Sequence, residues 1–333
     1  MLRTLVILFC SVVVVGADNF VGPSVCAGCH PRQAERQMQS RHARALRSIS
    51  ENVVNQWKDA RTRDGLHYEY APGKGRLNVR VTGSGEQSSG TLEWIFGAGA
   101  QGMTLVGRTD DHYFEHRLSW YVALQRLALT FGHPVRISRD PLGLPQTNET
   151  IYRCFNCHAT AVERGTREPD LTAMIPGVTC ERCHGPGEKH VAAARAGRPL
   201  TEIVSAIFNQ RQLAPRARIE FCGGCHRLPD RNHDSSAPEI EDPISVRFQP
   251  IGLMASRCFK SSKGLSCGSC HDPHGDALSR EDVSYTAACV ACHTAQHRSK
   301  CPRPRNLACV SCHMQRTSPA SQLTFTDHRI RVY

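Results

Sequence analysis

One five-residue pattern, Cys-x-x-Cys-His, occurs seven times in this chain of 333 residues. At about 5% Cys and 5% His, chance would give roughly 0.04 matches in a chain of this length, so the pattern is not accidental. Fourteen of the 17 cysteines lie in it. We number the copies motifs 1 to 7 in chain order: Cys26/Cys29/His30, Cys154/Cys157/His158, Cys180/Cys183/His184, Cys222/Cys225/His226, Cys267/Cys270/His271, Cys289/Cys292/His293 and Cys309/Cys312/His313.

This pattern predicts covalently bound c-type haem. The two thiols form thioethers with the haem vinyl groups, and the histidine that follows directly reaches the iron as its proximal ligand. Zinc ribbons and thioredoxin-like redox sites also use Cys-x-x-Cys pairs. Zinc sites do not always place a histidine after the second cysteine, and a thioredoxin-like domain carries one such motif, not seven. We therefore expect seven covalently bound haem c groups, each with its motif histidine on the iron.

Ten further histidines are available for the opposite face of the irons. Seven of them would give every iron two imidazole ligands. Sequence context favours His42, His190, His274 and His328, followed by His297 and His133, while His67, His112, His116 and His233 are weaker candidates. Because His274 follows the proximal His271 by only three residues, it cannot easily reach the far face of the same haem. We expect it to serve a neighbouring haem.

Three cysteines lie outside the motifs, and two of them, Cys258 and Cys301, follow the predicted leader. In an oxidising compartment such a pair favours a disulfide. Two buried free thiols and an axial thiolate ligand are the alternatives.

The N-terminus has the pattern of a secretory signal peptide. Arg3 precedes an apolar run from Leu5 to Val15, and small residues at 16 and 17 suit cleavage after Ala17. The run is too short for a transmembrane span, which needs about 20 apolar residues. We expect residues 1–17 to be removed and the mature protein to be periplasmic or otherwise exported, with no transmembrane segment after signal cleavage.

The formal net charge of +11 does not predict nucleic-acid binding. Each oxidised haem with two ionised propionates adds about −1, and Arg3 leaves with the leader, so the oxidised protein carries roughly +3. We interpret much of the arginine excess as counter-charge to propionates or as solvated surface.

Motif spacing divides the chain after the leader into three segments. Residues 18–50 contain motif 1 and a helix that is expected to begin at Pro31 and include Gln33 to Ile49. Residues 51–150 lack motifs and are strand-rich, with strands expected at Leu77–Val81, Thr91–Phe96 and Met103–Val106. Residues 151–333 contain the other six motifs. The expected fold is a multihaem cytochrome c fold, mainly α with little regular structure and a haem-packed core, plus a small strand-rich segment.

The stretch from Gly97 to Gly102 matches the dinucleotide fingerprint G-x-G-x-x-G. That fingerprint must open a helix within a βαβ unit. Here another strand is expected to follow at Met103, so we interpret the glycines as a turn.

Several fragments resemble multihaem cytochromes of the cytochrome c-554 type, which are grouped with octahaem hydroxylamine oxidoreductase and pentahaem nitrite reductase. The fragments lie at residues 21–30, 40–43, 177–187, 247–250, 256–259, 267–275, 309–314 and 327–330. The resemblance implies low-potential, mostly bis-histidine haems in parallel and perpendicular pairs, with His42, His190, His274 and His328 as distal ligands.

Members of such a family range from electron carriers to enzymes, so the reaction stays open. We favour a carrier that exchanges electrons with redox partner proteins or a quinol-linked membrane complex, and we identify no catalytic residue. The nitrite-reductase pattern Cys-x-x-Cys-Lys is absent from the sequence, and no tyrosine matches the one that modifies the catalytic haem in hydroxylamine oxidoreductases. The alternative is an oxidoreductase that acts on a small nitrogen or sulfur compound at a five-coordinate haem.

Overall fold

A computed structural model describes nine ranges of the chain. They are residues 19–50, 55–62, 65–83, 86–135, 140–226, 240–262, 264–275, 282–293 and 309–332. The predicted leader, His233, His297 and Cys301 lie outside the described residues. No helix within these ranges is long and apolar enough to cross a membrane.

The described helices are short, and most lie beyond residue 147. They are α1 (Pro23–Ala27), α2 (Pro31–Met38), α3 (Asn148–His158), α4 (Cys180–His184), α5 (Glu188–Arg195), α6 (Leu200–Ser205), α7 (Pro215–Gly223), α8 (Gln249–Ala255), α9 (Arg257–Ser261), α10 (Asp282–Val290) and α11 (Cys309–His313). Single 3-10 turns lie at Gln210–Gln212, Pro243–Arg247 and Cys267–Ser269.

The strands are concentrated between motifs 1 and 2. They are β1 (Leu46–Ser48), β2 (Ala60–Arg61), β3 (His67–Gly73), β4 (Arg76–Gly83), β5 (Glu86–Phe96), β6 (Gly102–Arg108), β7 (Tyr113–Tyr121), β8 (Arg126–Leu129) and β9 (Gly143–Pro145). Two separate hairpins follow, β10 (Ala159–Glu163) with β11 (Asp170–Pro176), and β12 (Arg316–Ala320) with β13 (Leu323–Thr326).

Strands β1 to β9 form one antiparallel sheet that curls into a half-barrel. Strands β2 to β8 lie in chain order, as successive hairpins require. Strand β5 extends past the end of β4, and its last residues, Trp94 to Phe96, pair with β1 instead. Strand β7 is shared in the same way between β8 and β9. Strand β1 therefore lies beside the end of β5 that β4 does not reach. It directly follows the segment that contains His42.

Alternating side chains give this sheet a hydrophobic core of its own. On β4, Leu77, Val79 and Val81 are buried while the residues between them are exposed. They pack with other side chains that are almost fully buried, including Tyr68 and Phe114. Alternation with period two directs one face of a strand into the core.

The glycine-rich segment after β5 is a turn between two strands, as predicted. Gly97 has φ +101°, and a Cβ there would lie 2.6 Å from the carbonyl oxygen of Gly102. Strand β6 begins at Gly102 and pairs with β5. No helix opens here, and the dinucleotide fingerprint is excluded.

The expected fold class is wrong in being mainly α. The structure is 33% helical and 28% strand, and the half-barrel is a large part of it. The three predicted strands are present and longer than predicted, but β3, β7, β8 and β9 were not recognised. Strand β7 is hard to recognise because consecutive residues from His116 to Ser119 are buried, so its burial does not alternate.

The helix expected to extend to Ile49 is also too long. Helix α2 ends at Met38, and residues 46–48 form β1. Pairing of Leu46 with Phe96 outweighs the helix propensity of this segment. The chain turns between the two elements, and this turn carries His42.

A hydrogen-bonded histidine is fully enclosed by the sheet. The hydroxyl of Tyr70 donates to Nε2 of His116 at 2.7 Å, and His116 Nδ1 donates to the carbonyl oxygen of Leu142 at 2.8 Å. His116 has no exposed surface. Burial lowers its pKa to about 3, because the imidazolium would lose its hydration.

His116 should make the stability of the sheet depend on pH. Its folded pKa lies below its ordinary value of 6.5, so the unfolded chain takes up a proton first as the pH falls. The stability contributed by neutral burial is full above pH 6.5 and is lost by about 1.4 kcal/mol per pH unit towards pH 3. In urea unfolding followed by far-ultraviolet circular dichroism, His116→Gln should be less stable than the wild type at pH 7. The gap should narrow by about 2 kcal/mol at pH 5, and parallel pH profiles would contradict this account.

Candidate metal centres

Each motif holds its two thiols and its imidazole on one side of a helical turn. Residues three and four positions apart lie on the same face of a helix. In motifs 1, 4, 5 and 6 the histidine amide donates to the carbonyl of the first cysteine, at 2.8, 3.0, 2.9 and 2.9 Å. The turn thus presents together the three groups that a c-type haem needs.

Seven of the predicted haem-binding residues lie at the protein surface. They are the cysteines Cys29, Cys292 and Cys312 and the histidines His30, His42, His226 and His293. A haem bound at each motif would cover these side chains, so the haem-packed core stays a prediction.

The shortness of the motif helices accounts for the exposure of the three cysteines. The helices of motifs 1 and 7 bury none of their residues, and Cys292 and His293 of motif 6 follow α10, which ends at Val290. Such a turn has no inward face that could carry its second cysteine into a core. An exposed side chain can still bind haem, so attachment at Cys29, Cys292 and Cys312 and ligation by His30, His42, His226 and His293 stay predictions.

Four proximal histidines face a second imidazole from a distant part of the chain. The pairs, with the distance between ring centres, are His30 and His190 (6.3 Å), His226 and His42 (6.0 Å), His184 and His274 (6.1 Å), and His271 and His328 (6.2 Å). The second members are the four histidines that the sequence ranks first as distal candidates. Each pair joins a motif to a segment outside that motif.

This spacing fits two imidazoles that bind one metal ion from opposite sides. A bond from an imidazole nitrogen to a metal ion is about 2 Å long, and the ring centre lies roughly 1 Å behind the nitrogen. Two such rings across one ion therefore have centres about 6 Å apart. Haem iron accepts histidine as an axial ligand, so the residues present fit haem at these four positions.

His274 belongs to a different pair from its close neighbour His271. Its ring lies nearly parallel to that of His184, with 10° between the planes, while His271 faces His328. The short segment between residues 271 and 274 therefore contributes to two centres, those of motifs 5 and 3.

Backbone carbonyls hold the Nδ1 atoms of five predicted ligand imidazoles. An Nδ1–H that donates to a carbonyl fixes the tautomer that leaves Nε2 free for a metal ion. These bonds join His158 to Ala45 (3.0 Å), His184 to Phe208 (2.9 Å), His190 to Ile203 (2.9 Å), His313 to Arg331 (2.9 Å) and His328 to Thr326 (2.9 Å). His116 differs, because Tyr70 occupies its Nε2 and leaves no nitrogen for a metal ion.

Burial keeps two of these imidazoles neutral. It lowers the pKa of His158 and of His328, because the charged ring would lose hydration, although a carbonyl acceptor raises each pKa in part. A metal ion binds the neutral imidazole, so both rings are in the binding form at neutral pH.

Thiols of different motifs lie next to each other. Four pairs are within hydrogen-bonding reach, namely Cys26 with Cys180, Cys157 with Cys225, Cys222 with Cys267, and Cys289 with Cys309. Cys183 also lies near both thiols of motif 4, and Cys289 lies near Cys270. The attachment points therefore form a continuous series, 1–3–4–5–6–7, with motif 2 joined at motif 4.

Two phenylalanine side chains beside motif 3 are exposed to solvent. Phe208, whose carbonyl binds His184, is 39% exposed, and its ring lies 5.7 Å from that of Phe221, which is 38% exposed. A large flat apolar group would cover such rings, so these side chains also fit a haem.

Glu181, inside motif 3, fixes motif 1 against motif 3. Its carboxylate is buried and accepts hydrogen bonds from the amides of Val21, Gly22 and Gly187 at 2.8 to 2.9 Å. The sequence does not reveal the role of Glu181, because the motif does not specify the two positions between its cysteines and the contact with Val21 spans 160 residues.

The C-terminal hairpin that precedes His328 is attached to the sheet. The side chain of Gln101 donates to the carbonyl of Thr324 at 2.6 Å and accepts from its amide at 3.2 Å. A Cβ on Gly252 would lie 2.9 Å from the amide nitrogen of Arg329, so only glycine lets α8 approach His328 this closely.

Other predicted ligands are placed differently. His158 contacts Phe96, with ring centres 5.1 Å apart, and within the described ranges no second imidazole faces His158 or His313. His133 lies in the sheet region, where its Nε2 is 3.1 Å from Glu115. His297 lies outside the described residues, as does Cys301, so the disulfide with Cys258 stays a prediction.

Comparison with known proteins gives three similarities. The family model described as cytochrome c554 and c-prime matches residues 25–94 and 138–185, which include motifs 1, 2 and 3. The chain is 23% identical, over 384 aligned positions, to the dissimilatory sulfite reductase MccA of Wolinella succinogenes. The alignment covers 89% of this chain and 51% of MccA, so the chain spans about half the length of this relative.

The third similarity is to a solved structure, that of the outer cell wall cytochrome OcwA. The TM-score is 0.53 at 14% identity, with 94% of this chain and 80% of the other covered. At that identity the match shows a shared fold alone. Together with the seven motifs and their helical turns, these similarities identify the chain as a multihaem c-type cytochrome with covalently bound haem c.

Proposed function

We propose that the chain is an exported heptahaem electron carrier. Each of the seven motifs holds one haem by its two cysteines and its histidine. The observation that carries the proposal is the set of four imidazole pairs 6.0 to 6.3 Å apart. When bound, each haem iron accepts and releases one electron.

Two imidazoles on one iron favour electron transfer over catalysis. His42, His190, His274 and His328 would occupy the position at which a substrate has to bind. Nδ1 hydrogen bonds to the chain would hold the rings of His190, His274 and His328 in place through a change of oxidation state. Rigid ligation of this kind suits a group whose only task is to gain and lose an electron.

The contacts between thiols support transfer over the length of the protein. Because adjacent cysteines attach adjacent haems, the series 1–3–4–5–6–7 describes a continuous arrangement with a branch at motif 4. Motif 4 is the junction, since its two thiols lie within hydrogen-bonding reach of Cys267 and Cys157 and near Cys183 of motif 3.

Export and partners are part of the same proposal. The signal-like pattern of residues 1–17 and the attachment of c-type haem outside the cytoplasm support a periplasmic or otherwise exported protein. Electrons would be exchanged with redox partner proteins or a quinol-linked membrane complex.

A second function has one observation in its favour. His158 of motif 2 faces no second imidazole in the described residues and lies beside Phe96 instead. An iron held there would have an open side, and one relative is a dissimilatory sulfite reductase. The alternative is therefore an oxidoreductase that acts on a small sulfur or nitrogen compound at motif 2.

Challenge with small anions separates the two functions. Electron paramagnetic resonance spectra of the oxidised haem-loaded protein should be recorded alone, with sulfite and with nitrite. A carrier in which every iron has two imidazole ligands should give low-spin signals that neither anion moves. A high-spin signal that sulfite or nitrite shifts would favour the oxidoreductase.

Removing one distal imidazole should open one iron. His190→Ala leaves His30 without its partner, so one low-spin signal should be replaced by a high-spin signal while the haem content stays at the wild-type level. His67→Ala is the matched control, because His67 lies on β3 beside Glu69 and faces no motif in the part of the chain that the structure describes. An unchanged spectrum for His190→Ala would contradict the proposed ligation.

A further inference from the structure

The hydrogen bond to Nδ1 is not the same for all the paired imidazoles. His184, His190 and His328 each donate to a neutral backbone carbonyl. His274 Nδ1 lies instead 3.2 Å from Oδ1 of Asp272, a carboxylate. The centre of motif 3 therefore has a carbonyl behind one ligand and a carboxylate behind the other.

The position of Asp272 is fixed from three sides. Its Oδ1 also accepts from the backbone amide of His274 at 3.0 Å, and its Oδ2 accepts from the Arg36 guanidinium at 2.8 Å. A Cβ on Gly275 would lie 2.9 Å from that guanidinium, so Arg36 approaches closely. The carboxylate thus faces Nδ1 in a set geometry, and Arg36 opposes part of its charge.

A carboxylate on Nδ1 changes what the imidazole does at Nε2. A negative acceptor draws the Nδ1 proton and makes Nε2 a stronger electron donor than a carbonyl acceptor does. A stronger donor stabilises ferric over ferrous iron, and hydrogen bonding around the ligands is one of the means by which a protein sets a haem potential.

We propose that Asp272 is a positioning residue that lowers the reduction potential of the haem held by His184 and His274. The inference rests on the proposed function, because it requires His274 to bind that iron. Reduction there takes one electron from the reductant and leaves the proton on Nδ1.

Replacing Arg36 should shift the haem reduction potential in the opposite direction to replacing Asp272. Its guanidinium lies on the far oxygen of the same carboxylate, so removing it leaves Asp272 more negative towards Nδ1. Arg36→Gln should lower the potential of this centre, whereas Asp272→Asn should raise it. A purely structural role for the two residues gives no reason for opposite shifts.

The experiment is a spectroelectrochemical titration of the haem-loaded full chain, with electron paramagnetic resonance at each step. Asp272→Asn should raise one haem potential by about a tenfold change in its redox equilibrium, which is about 59 mV for one electron. Asp327→Asn is the matched control, because Asp327 adjoins the ligand His328, whose Nδ1 is held by the Thr326 carbonyl. The largest change in a haem potential should be smaller in Asp327→Asn than in Asp272→Asn.

His274→Ala in the same series separates two kinds of failure. If that variant keeps every haem low-spin, the proposed ligation is wrong. If it produces one high-spin haem but Asp272→Asn shifts no potential more than Asp327→Asn does, the role of Asp272 is wrong and the ligation stands. Equal signs for Asp272→Asn and Arg36→Gln would also overturn the role of Asp272.

Discussion

The arrangement of the motif-bearing part of the chain depends on imidazoles from distant segments meeting across one metal ion. His30 meets His190, and His226 meets His42, over sequence separations that no local structure would bridge. Each pair places two chain segments within a few ångströms of a common point. With four pairs proposed, the irons link the segment before the sheet, the helices after it and the C-terminal tail. A metal-coupled fold of this kind gains its folding free energy from ligation.

The two halves of the molecule differ in what fills their interior. The half-barrel has a core of side chains, with Leu77, Tyr68 and Phe114 almost fully buried. By contrast, helices α1, α5, α6 and α9 bury no residue at all. Helices this short are not stable alone, and haem would supply the apolar surface they lack. The half-barrel also positions residues of the haem-binding half. The side chain of Gln101 bonds the hairpin before His328, and the carbonyl of Ala45, just before β1, accepts a hydrogen bond from His158.

The residues that bind haem could be predicted from the sequence more completely than the fold around them. The seven motifs are local, so their thiols and imidazoles could be recognised by spacing alone. The place of His274 opposite another motif could be argued from a separation of three residues. The half-barrel was underestimated because β7 does not alternate and β1 lies where helix propensity is high. Glu181 and Asp272 could not be recognised, because their roles arise from contacts with Val21 and Arg36 that only the folded chain brings together.

The most direct test of the paired-imidazole account is the position of the irons in a crystal of the haem-loaded protein. Anomalous scattering at the iron absorption edge locates each iron without assumptions about its ligands. The account predicts seven peaks, four of them midway between the rings of His30 and His190, His226 and His42, His184 and His274, and His271 and His328. Each of these four should lie about 2 Å from both Nε2 atoms. Irons bound on one side only, with His42, His190, His274 and His328 turned elsewhere, would contradict it.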